Sequence, residues 1–342
     1  MAKTRAQSAK PAVRAPAERR RRSQHAGSER TTRILILGGV AAAVAIAVGL
    51  IIFGWYQTQI KPLQKMVLQV GNTKYSLAQV ERRMKLLRKQ DPTYGSLGSA
   101  NARLALPAVT FSLLEREAKL IEAASELQIT VSDEDIAAEV RNRGSLAADE
   151  EPTAYAAEFK KQVDDSGLSE SEYIQMLKAS LLSQRVNDYF KFFAPASEPQ
   201  VRGQYIAFDD QNKAKQALQR LQSGDAPDLV ATQLGAASSS GSGKVTPVAW
   251  TPRPYIGLLP KEVQDFLFGA QPNQLSDVLS VGSAYYIVQL LERDDNRALD
   301  DKGKGTVAVR ETNKWLDGLN TKLTIKDNFT TTDQSRALSD IL

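Results

Sequence analysis

The chain of 342 residues contains no cysteine and one histidine, His25. Without thiols there are no disulfides and no thiolate metal sites. That usage fits an extracytoplasmic bacterial protein without requiring one. His25 lies in a strongly basic N-terminal tail, so beyond that tail there is no His-based triad, no His zinc site and no imidazole acid–base chemistry. A Gly-rich phosphate loop is also missing. Ser238 to Gly243 is rich in Ser and Gly but lacks the Gly-Lys-Ser/Thr ending, so it reads as a flexible linker.

Charge is scarce where a nucleic-acid binder would carry it. Residues 1–33 hold ten Lys or Arg against Glu18 and Glu29, a balance of +8, which leaves −3 of the formal +5 for everything after them. The folded part is mildly acidic, and nucleic acid is not an expected partner. The tail, centred on Arg19 to Arg22, reads as a disordered topogenic segment. Binding of anionic lipid or nucleic acid is a lesser alternative for its arginines.

Ile34 to Tyr56 has no charged residue. At 1.5 Å per residue the run spans roughly 33 Å, enough for a hydrocarbon core of about 30 Å. It ends Phe53-Gly54-Trp55-Tyr56, an aromatic belt rather than a small-residue cleavage site. Residues 34–56 are therefore expected to sit in a lipid bilayer as an uncleaved single-pass anchor, with the N-terminus cytoplasmic and the rest outside. Gly39, Ala43 and Ala47 share a helix face on which two anchors could meet, which makes a dimer possible. Chance alone often produces such a stripe in an Ala-rich helix.

The 42% hydrophobic content is ample for a packed core. After a short link, Ile60 to Lys65, the patterning predicts a strand over Met66–Val70, a return strand at Lys74-Tyr75, and a helix opened by Ser76. A long helix is expected from Ala102 or Pro107 to Leu127. Capping boxes at Ser132/Asp135 and Ser169/Glu172 open two more, and a helix carrying Tyr155 and Phe159 lies between them. The helix from Tyr173 to Phe193 is long and amphipathic. Its Tyr189, Phe192 and Phe193 suit either a core or an exposed binding surface, with the core favoured.

From Val201 the order is a strand (Gln204 to Phe208), helices at Asn212–Gln222 and Pro227–Leu234, a strand from Val245 to Trp250, a helix from Pro260 to Phe268, a turn, and a strand from Tyr285 to Leu291. Asp294 to Asp301 reads as an acidic, solvated linker. Thr306 to Leu323 reads as a helix with Val309, Trp315 and Leu319 inward, and Thr330 to Leu342 as a loose end.

Residues 201–293, through Gln204-Tyr205-Ile206, Leu259 to Val263, Asn273 to Val278 and Gly282 to Val288, resemble the parvulin (PpiC-type) rotamase domain. Residues 66–195, through Val70-Gly71-Asn72, Leu114 to Leu127, Ile129 to Ile136 and Gly167 to Phe190, resemble the N-terminal chaperone domain of the SurA, PrsA and PpiD foldases. The resemblance implies an α+β protein: an N-terminal transmembrane helix, a mostly helical chaperone domain, and a parvulin-like domain with a four-stranded antiparallel sheet and flanking helices. It also implies that the helix within residues 306–325 returns to the chaperone domain.

The resemblance further implies a pocket for a proline ring, and there the chain departs from it. Both family histidine positions fall on tyrosines, Tyr205 and Tyr286, which become the catalytic candidates. The Cys/Asp position falls near Ala236 or Ala237. Peptide-binding candidates are Leu259 and Val263 at the ring-contact positions, together with Trp250 and Phe268. No cofactor and no metal are implied. The expected activity is binding of unfolded or proline-containing polypeptides with a degenerate isomerase pocket. The alternatives are an isomerase working through a tyrosine pocket and a scaffold for one fixed partner.

Overall fold

The computed structural model describes residues 38–39, 43–94, 99–148, 150–235, 244–254, 259–339 and 341. Residues 1–37, Ala236, Ala237 and the Ser238 to Gly243 segment, all singled out above, lie outside the described residues. The chain divides into two compact units, residues 1–65 and 66–342.

In the first unit, helix α1 (Ala43–Gln64) is long and apolar enough to cross a membrane by length and composition. It does not stop at Tyr56. A π-helical turn (Tyr56–Ile60) and a 3-10 turn (Lys61–Gln64) carry it through the expected link. The polar Gln57, Thr58 and Gln59 hid this continuation. Thr58 nevertheless donates to the Gly54 carbonyl at 2.9 Å, keeping its hydroxyl within the helix.

The second unit opens on the hairpin β1 (Met66–Val70) and β2 (Thr73–Ser76), turned at Gly71. Gly71 has φ +56°, a left-handed backbone conformation that favours glycine. The Ser76 capping box starts α2 (Leu77–Gln90), and Ser99 caps α3 (Ala100–Ala123). The predicted capping boxes at Ser132 and Ser169 open α4 (Asp133–Gly144) and α6 (Glu170–Phe192), with α5 (Pro152–Ser166) between them. Each box satisfies backbone N–H groups that the first helical turn leaves free.

Strand β3 (Ser197–Phe208) then enters a four-stranded antiparallel sheet of order β4-β3-β6-β5, with α7 (Gln211–Gln222), α8 (Pro227–Leu234), β4 (Thr246–Pro252), α9 (Lys261–Gly269), β5 (Leu279–Val281) and β6 (Ala284–Ala298). One face packs Ile206, Phe208 and Ile287 against α7 and α8. The other packs Val201, Val248, Val288 and Leu290 against α9. At Gly203 a Cβ would lie 2.6 Å from Leu267 and 2.7 Å from the Gln289 carbonyl, so only glycine lets α9 approach the sheet this closely.

Four expectations are corrected. The acidic stretch Asp294 to Asn296 is not a linker but the end of β6, paired through Gln200↔Asp294 and Glu198↔Arg297. Ladder bonds join backbones, and polar side chains at the end of a long pair remain in water. The last helix, α10 (Asp301–Gly318), starts earlier than expected and buries Val307, Ala308, Thr312 and Leu316, leaving Val309 36% exposed. Its Gly- and Lys-rich first turns carry too few apolar markers to fix the phase. Leu316 and Leu319 join Leu182 and Val186 of α6 in one core, with Trp315 packed beside them.

Thirdly, Thr330 to Leu342 is not loose. Strand β7 (Ile325–Asp327) completes the sheet β2-β1-β7, and α11 (Thr331–Ser339) buries Ala337. The Phe329 ring stacks on Phe111 of α3, with centroids 5.0 Å apart and planes 6° from parallel. Replacing Phe329 with alanine should lower stability by about 3 kcal/mol, read as a lower urea midpoint at unchanged slope. An unchanged midpoint would restore the loose-end reading. Finally, the preference for a core role at the end of α6 fails: Phe192 is 82% and Phe193 64% exposed.

Candidate functional site

The register of the four-stranded sheet places Tyr205 opposite Val288 and Tyr286 opposite Ala207. Two diagonal neighbours on adjacent strands share a face and lie within reach of aromatic rings. The Tyr205 and Tyr286 centroids are 5.6 Å apart with the planes inclined at 58°. Both rings are half-buried against the cluster that includes Val263, and Leu259 and Phe268 pack on the same cluster. Val263 itself is fully buried. Five of the six residues picked from the sequence therefore converge.

Trp250 stands apart from them. The β3–β4 register slips between Val201, opposite Thr251, and Gly203, opposite Val248, so β4 carries an extra residue where Trp250 sits. Its ring lies under the Arg297 guanidinium, 4.1 Å from the centroid. Arg253 covers the Phe268 ring in the same way at 4.6 Å.

Among the described residues neither Tyr205 nor Tyr286 has a hydrogen-bond partner for its hydroxyl. Two phenols above an apolar floor can offer two donors to a carbonyl. On the other side of Tyr205, between Gln204, Ile206, Ile287 and Gln289, the cavity holds about 10 Å³, the lower limit for one water and far too little for a proline ring.

The turn after α9 is held to β6 through Ser276, whose Oγ accepts from the Val288 amide at 2.9 Å and donates to the Asp277 carbonyl at 2.6 Å. This fastens the strand that carries Tyr286.

Sequence reading missed what joins this sheet to the helices. Arg310 of α10 donates to both Glu198 carboxylate oxygens of β3, at 2.7 and 3.0 Å, and to the Arg253 carbonyl after β4 at 3.0 Å. The hydrogen bonds to Glu198 raise the Arg310 pKa further despite partial burial. Lys191 of α6 bonds Asp301 of α10 at 2.8 Å. Nothing in the local pattern could have revealed these pairs, because the partners are separated by roughly a hundred residues.

Beside this junction stand the exposed aromatics. Phe193 lies 4.8 Å from Tyr189 and 5.1 Å from Phe192, the latter edge-on. A groove of about 610 Å³ runs between α3, α6 and α10, past Leu113, Ser183, Asn187, Val309 and Thr312. At its floor Glu117 meets Arg83. Burial pushes the Glu117 carboxyl above its usual range, opposed by Arg83.

The helical unit is thus interrupted by a small antiparallel sheet, with two tyrosines over an apolar cluster on one face. Residues 30–187 match the SurA-like N-terminal domain and residues 186–302 the PPIC-type PPIASE domain. The chain therefore carries a SurA-like N-terminal domain followed by a PPIC-type PPIASE domain.

Similar solved structures include peptidylprolyl isomerase PrsA from Bacillus anthracis, 18% identical at a TM-score of 0.37 over 68% of this chain and 95% of that one. Foldase protein PrsA from Streptococcus pneumoniae is 13% identical at 0.35, over 79% and 91%. A SurA-like chaperone of Campylobacter jejuni is 11% identical at 0.25, over 76% and 98%. No curated protein sequence matches the chain.

Proposed function

We propose that the protein is a membrane-tethered, extracytoplasmic folding factor that binds unfolded or newly translocated polypeptides, and that its PPIC-type domain holds peptide without accelerating rotation about proline bonds. Residues 34–56 serve as the anchor and the basic residues 1–33 stay cytoplasmic, by the positive-inside rule. Residues 66–195 and 201–293 are the two client-handling domains, with residues 306–325 packing back on the first.

The observation that carries the binding role is the aromatic cluster at the end of α6. Large exposed apolar side chains grouped at a junction mark an interaction surface, and here Phe192 and Phe193 are 82% and 64% exposed. The loss of catalysis rests on Tyr205 and Tyr286 standing at the family's histidine positions.

The test uses the full chain in lipid nanodiscs and several unrelated unfolded proteins. Substoichiometric to equimolar chain should suppress aggregation of all of them. Replacing Phe192 and Phe193 with serine should weaken client binding about tenfold or more, the scale of two lost apolar contacts, with the thermal midpoint unchanged. Suppression confined to a single client would favour a dedicated scaffold instead.

One observation favours a second reading, an active isomerase: the unoccupied hydroxyls of Tyr205 and Tyr286.

A further inference from the structure

Helix α5 has none of its residues buried. Tyr155, Phe159 and Val163 recur on it at i, i+4 and i+8, half-buried, packing against the core that includes Ile136 and Tyr173 while part of each side chain stays in solvent. They line a groove of about 700 Å³ together with Ile136 of α4 and Ile174 of α6. That volume falls within the range of binding sites. The Tyr155 and Phe159 rings are parallel, 6.2 Å between centroids, and offer one extended apolar wall.

The rim is acidic. Asp133, Asp164 and Glu170 line the groove against a single cation, Lys160. Lys160 is already committed to Asp164 at 2.6 Å. Asp133 and Glu170 form no hydrogen bond or ion pair with any described residue. Their places in the first turns of α4 and α6 suit the helix dipoles, but dipoles leave the outer carboxylate oxygens free. At the other end of α5, the Arg141 guanidinium covers the Tyr155 ring at 4.8 Å. The groove thus has an apolar floor and two free carboxylates on its rim.

We propose that this groove binds a client segment consisting of a short apolar stretch with lysine or arginine at one end. The inference rests on the polypeptide-binding reading above and names the client chemistry that this site selects.

The experiment measures fluorescence anisotropy of two labelled peptides with the same apolar core, one ending in a lysine pair and the other in a glutamate pair. The full chain is held in nanodiscs of zwitterionic lipid. Its basic tail is common to every arm and favours the glutamate peptide. The lysine peptide should bind about fivefold tighter, the scale of two exposed ion pairs, and high salt should remove the preference. The Asp133→Asn/Glu170→Gln variant, altered only on the exposed rim, should lose the preference for the lysine peptide. Phe159→Ser should weaken both. Equal affinity of the intact chain for the two peptides, or a preference that survives in the double variant, overturns the proposal. Failure of both peptides to bind overturns it too. If aggregation is still suppressed in that case, the folding-factor reading stands; if not, both fall together.

Discussion

Replacing Glu117 with alanine should cost about 3–5 kcal/mol of stability, because it strands a guanidinium inside the helical unit. Arg83 of α2 and Glu117 of α3 are 8% and 9% exposed and bond each other directly. Close by, Gln175 of α6 donates to the Tyr75 hydroxyl at 2.9 Å. Burial, then the Glu117 charge, raises the Tyr75 pKa, so its phenol stays neutral. Removing both charges is a different matter. Arg83→Met with Glu117→Leu should restore most of the loss, since an apolar pair of similar volume escapes the cost of desolvation. Urea midpoints of the two single variants and the double variant give the coupling directly. A Glu117→Ala loss below about 1 kcal/mol, on the scale of an exposed pair, would show that the pair is hydrated rather than buried.

The same pair has a pH signature. Burial raises the folded-state pKa of Glu117 above the unfolded value. The folded chain therefore holds that proton longer than the unfolded chain does. The associated stability is fully present below the unfolded carboxylate range and is lost as pH rises through the folded value. Asp135 works in the opposite sense. Hydrogen bonds from Arg185, then from the Ser132 amide, pull it down to about 2, so its contribution is present above the unfolded value and lost as pH falls towards 2. The difference between the wild type and Glu117→Gln isolates the first effect.

Local signals were legible in the sequence, and distant pairings were not. Ser132 with Asp135, and Ser169 with Glu172, needed only a four-residue window, and both boxes form. Pro227 marked the start of α8 to the residue. In contrast, β7 pairs with β1 from more than 250 residues away, and nothing in Ile325-Lys326-Asp327 alternates for long enough to announce a strand. The Thr330–Asp333 capping box of α11 was readable, with Thr330 Oγ1 donating to Asp333 at 2.7 Å, but a polar end with a single aromatic masked it. Periodicity also cannot tell a core from an unpartnered surface. For that reason Phe192 and Phe193 were placed inside although both stand in solvent. At the pocket, strand parity and the family pattern were enough to bring Tyr205 to Tyr286. A bulge in β4, invisible to parity, separated Trp250 from them.

Under the holding reading, the full chain should leave the cis–trans relaxation of a proline peptide at its spontaneous time constant of roughly tens to hundreds of seconds. The barrier of about 18–20 kcal/mol falls only if the site binds the twisted amide better than the planar one. That demands donors aimed at the carbonyl and amide nitrogen in a dry, fixed pocket. Here the floor is held in place by the fully buried Val263 and Leu267. The two groups above it are phenols tilted 58° to each other. On the holding reading the two rings occupy the place of the proline ring, and each hydroxyl offers one donor. The same reading has a peptide gripped by the apolar wall of Leu259 and Phe268 without selective stabilisation of its twisted form. The competing reading makes the opposite forecast for the same assay: a rate well above the spontaneous one, abolished in Tyr205→Phe and Tyr286→Phe while peptide affinity is retained. Because each phenylalanine removes one hydroxyl and keeps the ring, that outcome would assign the acceleration to the two donors and replace the holding function with an enzymatic one.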